Sequence, residues 1–266
     1  MSERKPEEVF TPQIFLEKYL TRRNISMHEV GVAPVVVISW GYGIVKSLAA
    51  QAEAKIPEHW MYGRLYPLYS GTVGGASVSF VELPVGAAGT VMVMEELIAC
   101  GARTFIGLGW TGSLQPDVPI GSFVIPTSSI REEGTSFHYV DASKELSPDK
   151  VLQAELEQAA AAEGASILTG PLWTTDAPYR ELRSKVERYR QEGVVGVDME
   201  TSAMYALGLY RGVAVCNLLV VSDMLGSEWN VGFDSDGLEQ ANRLAEKIVL
   251  RYLASRVSGE LHSRKE

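Results

Sequence analysis

Two cysteines in 266 residues give no framework for a disulfide-stapled domain. Cys100 and Cys216 each sit inside an apolar run. Buried, reduced thiols are the expectation there, and a single disulfide between them stays open. The four histidines, His28, His59, His138 and His262, are scattered, and no His/Cys/carboxylate spacing closes on a metal. No metal is expected. Basic residues are also in deficit: 24 Lys+Arg stand against 33 Asp+Glu, a formal charge of −9. With no basic stripe to replace counterions, a nucleic acid polymer is excluded as partner. The longest apolar runs, such as Val35–Ile38 and Val213–Val221, are too short for a bilayer, so no membrane is expected. The opening MSERKPEEVF is charged where a signal peptide would be apolar, which predicts a soluble cytoplasmic protein. There is no G-x-S-x-G elbow, and neither cysteine lies in an electropositive context, so acyl transfer drops out.

What is present has the balance of an ordinary globular chain, 46% hydrophobic and 21% charged. Residues 1–33 form a polar segment with a short helix, Thr11 as N-cap and Pro12 at its first position. From residue 34 to 257, β-branched runs alternate with helical patterns. PVVVIS, ASVSFVELP, RTFIGLG, GSFVIP, SILTGPLWTT, GVVGVD and VAVCNLLVVSD read as strands. TVMVMEELIACG, PDKVLQAELEQAAAAEG, RELRSKVERYRQEG, METSAMYALGLYRG and LEQANRLAEKIVLRYLASRV read as helices. Residues 258–266 form a polar tail. No Gly/Ser linker or internal repeat divides the chain. The alternation predicts a single α/β domain of three αβα layers around a mixed, mostly parallel twisted sheet.

GLGWTG, residues 107–112, matches the dinucleotide pattern G-x-G-x-x-G after a strand. That pattern works only where a helix begins, and Pro116 and Pro119 forbid one. It reads as a strand end turning into a loop, so no dinucleotide cofactor is expected. VDMETSAMY and VVSDML carry more. Each brings carboxylates to the carboxyl edge of a parallel sheet, Asp198 and Glu200 in the first and Asp223 in the second. Helix capping explains Asp198 and Glu200 equally well taken alone. Two carboxylate-bearing strand ends that face one pocket bring a binding function level with that explanation.

In this order, these residues resemble the family of nucleoside phosphorylases and nucleosidases. It includes uridine phosphorylase, the hexameric purine nucleoside phosphorylases and methylthioadenosine/adenosylhomocysteine nucleosidase. The resemblance runs from about Pro34 to about Val257 and is densest in EELIACGARTFIGLGWTGSLQPDVPIGSFVIP, REEGTSFHY, VDMETSAMY and VVSD. It implies the family's fold and cleavage of an N-glycosidic bond. By position, Met199 would pack under the ribose and Glu200 would accept from its 2′- and 3′-hydroxyls. Asp198 falls where relatives often carry Glu, and Thr111 and Gly112 would lie beside the nucleoside. Asp223 matches the aspartate that protonates N7 in purine-specific members, which tilts the reading toward a purine. Tyr179, and with it Arg180, belongs to the stretch that closes over the base.

The departures concern the acceptor. Phosphorolytic members hold phosphate with a G-D-P-x-R loop, a second arginine, a Ser/Thr and an arginine from a neighbouring subunit. Here the loop reads Gly41-Tyr42-Gly43-Ile44-Val45, the second arginine position is Gly107 and the Ser/Thr position is Trp110. Only Arg64 matches, at the subunit-crossing position. Hydrolytic relatives use a glutamate in the first loop, which is also missing. Lys46, Arg131 and Arg180 are candidates for a rebuilt anion site, and Glu132, Glu133 or His138 for activating water. A surface role is the leading alternative for His138. The expectation is therefore a phosphorylase giving base and ribose 1-phosphate, with phosphate as co-substrate and no cofactor. A phosphate-independent nucleosidase and a lapsed nucleoside-binding protein are the alternatives. The resemblance also implies a homo-oligomer, a dimer or trimer of dimers.

Overall fold

The computed structural model describes residues 8–41, 43–63, 65–226 and 228–263, with side chains to residue 256. Arg64 lies outside the described residues. The N-terminal helix α1, Pro12–Thr21, starts as its sequence directs, with Thr11 Oγ1 accepting from Ile14 N. Leu16 and Leu20 on its inner face are fully buried, so the polar N-terminal segment is pinned to the domain.

The sheet is mixed, with nine strands in the order β2-β3-β1-β4-β7-β6-β5-β8-β9. They are β1 (Val35–Ser39), β2 (Leu68–Val73), β3 (Ala76–Glu82), β4 (Thr104–Ser113) and β5 (Phe123–Glu132), then β6 (Ile167–Thr175), β7 (Gly196–Asp198), β8 (Ala214–Leu225) and β9 (Trp229–Val231). Strand β1 runs parallel to β3 and β4, and β4 runs parallel to β8. Because β4 also pairs antiparallel with β7, and β5 with β8, the strands β4-β7-β6-β5-β8 close into a ring. The sheet is mixed and twisted as the alternation predicts, and the ring closure is a further feature of it.

Helices cover both faces. α1, α3 (Ala87–Ala99) and α6 (Thr201–Arg211) share one core with Val36 and Ile38. α2 (Ile44–Gln51), α4 (Lys150–Ala162) and α7 (Asp236–Ser263) share the other with Val35 and Val37. Alternate residues of β1 therefore feed opposite cores, as a strand buried on both faces requires. α5 (Arg183–Gln191) places Val186 and Tyr189 against Trp173 and Leu114 at one end of the ring. The closing helix α7 continues to Ser263, past the boundary at 257 read from the sequence. Cys100 and Cys216 are both free and buried, in different cores.

The segment GLGWTG departs from its reading as a turn. β4 runs straight through it to Ser113. Its glycines serve close approach. A Cβ on Gly107 would stand 2.3 Å from Asn217 Oδ1 and 3.0 Å from the Trp40 ring, and one on Gly109 would stand 2.7 Å from that ring. At the far end the β4–β8 register shifts between Thr111 and Gly112, so Gly112 pairs with Asp223. Gly112 also pairs with Val197 on β7. The bulge thus brings both carboxylate-bearing strand ends to one residue.

Candidate active site

Around that junction lies a cavity of about 810 Å³. Its floor is the β7–α6 junction, where Asp198, Met199 and Glu200 all face the space. Asp198 is 7% exposed, and its oxygens are committed to the protein. Oδ1 accepts from Thr174 Oγ1 at 2.7 Å, while Oδ2 accepts from the Thr201 N–H and hydroxyl. It caps the first turn of α6 and fixes the junction while still lining the cavity. Glu200, 5% exposed, is held at one oxygen only: Oε1 accepts from Gly86 N at 2.6 Å, just before α3. Burial pushes the Glu200 carboxyl well above the ordinary range, and the adjacent Asp198 adds to this. Burial also raises Asp198, against the opposing bonds from Thr201 and Thr174. Two buried carboxyls this close retain a proton at neutral pH.

The opposite wall is β8 and β9 with the start of α5. Asp223 Oδ1 accepts from Ser222 Oγ at 2.6 Å, and Oδ2 accepts from the Trp229 indole N–H at 2.7 Å. Glu181 faces the same space, half-buried, and makes no hydrogen bond among the described residues. Burial, followed by the charge of Asp223, pushes its pKa up to about 7. Sequence reasoning passed over Glu181, although it ends the stretch that carries Tyr179 and Arg180. Tyr179 stands fully exposed at the cavity's rim.

Between these walls run Thr111 and Gly112. Thr111 Oγ1 donates to Val197 O at 2.9 Å, tying β4 to β7. A side chain at Gly112 would meet Leu225 at 2.7 Å and Asp223 Oδ2 at 3.3 Å, so only glycine leaves the passage open.

At the acceptor end the walls are aromatic. Trp40 donates its indole N–H to Thr90 Oγ1 at 2.8 Å and lies over Gly107 and Gly109. Trp110 stacks on Phe233 at 5.5 Å and donates to Asn242 Oδ1. All three line the cavity. An arginine at 107 is therefore sterically excluded, by the Asn217 amide first and by the Trp40 ring behind it. Trp40 and Phe233 gave no sequence signal on their own, being separated along the chain from every motif.

The candidate anion ligands do not gather here. Arg131 spends its guanidinium on Ser136 Oγ and the carbonyls of Val140 and Asp141, which pins the loop after β5. Lys46 is exposed on α2, and Arg180 is exposed after β6; neither faces the cavity. Gly41 sits at φ +101° beside Trp40, also outside the lining. The water-activating candidates fare no better. Glu132 pairs with Lys185 and Tyr189, Glu133 accepts from Ser136 N and Ser202 Oγ, and His138 is exposed. Among the described residues, the arginines that line the cavity are Arg183 and Arg190, both from α5. Arg190 donates to the carbonyls of Leu114 and Leu225. No metal-binding cluster occurs among the described residues.

Comparison with known proteins agrees with this geometry. The phosphorylase superfamily pattern matches residues 24–254. Uridine phosphorylase of Treponema pallidum is 32% identical over 197 residues, covering 68% of this chain and 76% of that protein. Guanosine phosphorylase of Halorubrum lacusprofundi is 28% identical over 173 residues, covering 65% and 72%. In structure, purine nucleoside phosphorylase from Toxoplasma gondii in complex with immucillin-H superposes with a TM-score of 0.77 at 24% identity, over 85% of this chain and 92% of that one. The chain belongs to the phosphorylase superfamily, as a member of its nucleoside phosphorylase family.

Proposed function

We propose that this protein cleaves the N-glycosidic bond of a purine-type nucleoside, transferring the ribosyl group to phosphate and releasing the free base. The observation that carries the reading is the placement of Glu200 and Asp223 on opposite walls of one cavity, with Gly112 between them. Glu200 takes the ribose hydroxyls over Met199. Its ionised form is costly at this burial and is favoured by the positive charge that grows on the sugar ring as the bond breaks. The interaction therefore strengthens toward the transition state, which is the condition for catalysis. Asp198 and Thr111 hold the junction in place, and Asp223 meets the edge of the base under Tyr179. The reaction needs phosphate and no cofactor.

One observation favours a second reading, hydrolysis. Asn217 and Trp40 occupy the room of an expected arginine at Gly107, and the acceptor end is walled by Trp40, Trp110 and Phe233. A dianion needs charge-assisted partners worth about 1.5–3 kcal/mol each, and apolar walls supply none. Adenosine, inosine, guanosine, uridine and methylthioadenosine incubated with and without phosphate separate the two. Ribose 1-phosphate formed only with phosphate supports phosphorolysis; free ribose formed regardless supports hydrolysis. No base release from any of them counts against both.

For assembly, we propose a homo-oligomer. Phe10, Ile14, Met92 and Leu209 are apolar and open to solvent in the single chain, on or beside the packed helices α1, α3 and α6. Two free, buried thiols suit a cytoplasmic setting, and no helix among the described residues is long and apolar enough to cross a membrane.

A further inference from the structure

We propose that Glu181 is a catalytic residue, the proton donor to the departing base, and that Asp223 beside it acts as an acceptor. This rests on the glycosidic-cleavage reading of the cavity. Three features of the geometry carry it. Glu181 and Asp223 line the same end of the cavity, from the segment before α5 and from β8. Asp223 has both oxygens occupied by donors, the Ser222 hydroxyl and the Trp229 indole N–H. An indole nitrogen only donates, so Oδ2 of Asp223 serves it as a hydrogen-bond acceptor. Glu181, by contrast, has no partner among the described residues and is half-buried in the cavity wall.

The charged groups around this end are consistent with a carboxyl that keeps its proton. Asp223 acts on Glu181 from β8, while Asp198 and Glu200 at the β7–α6 junction and Glu187 of α5 line the same cavity. Against these stand Arg183 and Arg190 of α5, and Arg190 is engaged by the Leu114 and Leu225 carbonyls. Burial and the nearby Asp223 carboxylate hold the Glu181 pKa at about 7, where a general acid works best near neutral pH.

The step balances. As the C1′–N9 bond breaks, its electron pair passes into the purine. The Glu181 O–H proton moves to the ring nitrogen N7, leaving a Glu181 carboxylate and a neutral base. The acceptor oxygen, from phosphate or water, forms the new bond to C1′. Solvent returns the proton to Glu181 once the base has gone.

The test compares guanosine with 7-methylguanosine, whose base already carries the positive charge that a proton would supply. In Glu181→Gln, guanosine cleavage is expected to fall about 100-fold or more. Cleavage of 7-methylguanosine is expected to stay within about threefold of wild type, which also shows that the variant is folded. For wild type, kcat on guanosine should fall as pH rises through about 7, and the variant should lack that limb. Equal loss on both nucleosides, or loss on neither, overturns the role for Glu181. So does a leaving-group-dependent loss that appears in Asp223→Asn and not in Glu181→Gln. Failure of the wild type to release base from either nucleoside overturns the underlying reaction, and is thereby distinguished from failure of this assignment.

Discussion

The floor of the cavity and its opposite wall are built to different standards. At the β7–α6 junction Asp198 has both oxygens satisfied from within the protein, and Glu200 is anchored through Gly86. At the β8–β9 wall Trp229 is 62% exposed, Tyr179 is fully exposed and Glu181 has no partner among the described residues. A site that is rigid at one end and open at the other holds one part of its ligand to close tolerance and leaves the other part negotiable.

The sharpest way to break the comparison is to remove the rigid end's free carboxyl. Glu200→Ala should lower kcat/KM on the best nucleoside by about 100- to 1,000-fold, as loss of a preorganised charge partner does elsewhere. Steady-state kinetics decide it, and turnover left intact would move the sugar site away from the floor. Next comes the close approach at the acceptor end. Gly107→Ala puts a methyl 2.3 Å from Asn217 Oδ1 and 3.0 Å from Trp40. Both neighbours are buried, so overpacking should cost about 1–3 kcal/mol. At roughly 2–4 °C per kcal/mol for a protein of this size, thermal unfolding reads the effect directly. An unchanged midpoint would mean that Asn217 and Trp40 yield, and with them the explanation for the missing arginine.

Much of this architecture is legible in the sequence because burial writes a clear pattern. β1, the apolar core of β4, and β8 are continuous apolar runs, and α1 announces itself through Thr11 and Pro12. What stays hidden lacks such a signature. α2 begins at Gly43, which has no side chain to cap it, and runs for only eight residues. β2 is an edge strand whose Leu-Tyr-Ser-Gly-Thr-Val pattern mixes half-buried and exposed positions, and β9 is three residues long and exposed. The glycines of β4 mislead most. Glycine usually signals a turn, yet here Gly107 and Gly109 are small because Trp40 lies against them, and Trp40 is far away in sequence. The candidate site divides likewise. Glu200 and Asp223 stand at strand ends, where topology alone points to a ligand. Glu181 and Trp40 acquire meaning only from neighbours that the chain brings to them through folding.

A smaller effect separates the two ends by pH. Glu200 has its folded-state pKa raised, so the folded protein keeps a proton that the unfolded chain has already released. Stability from this group is therefore complete in acid and declines as pH rises from the ordinary glutamate range toward and beyond neutrality. Glu200→Gln has no such proton to lose. Its unfolding midpoint should match wild type near pH 5 and exceed it at pH 8, by on the order of 1 kcal/mol or about 2–4 °C. A variant that tracks wild type at both pH values would show that the carboxyl is ionised at little cost.

The smallest effect expected is also the most specific to the open wall. Trp229→Phe keeps an aromatic ring but removes the N–H that Asp223 Oδ2 accepts at 2.7 Å. The site is exposed, so the bond contributes only about 0.5–1.5 kcal/mol. Freed from the indole, Asp223 can turn toward other donors, including those of a base. The expected outcome is a change of a few-fold in the relative kcat/KM of different bases, with little change in how ribose is discriminated from 2′-deoxyribose. The two ratios report on opposite walls of one cavity. If Trp229→Phe alters the sugar ratio as much as the base ratio, the walls are mechanically coupled through Gly112, which touches both, and the division between a rigid floor and an adaptable rim fails.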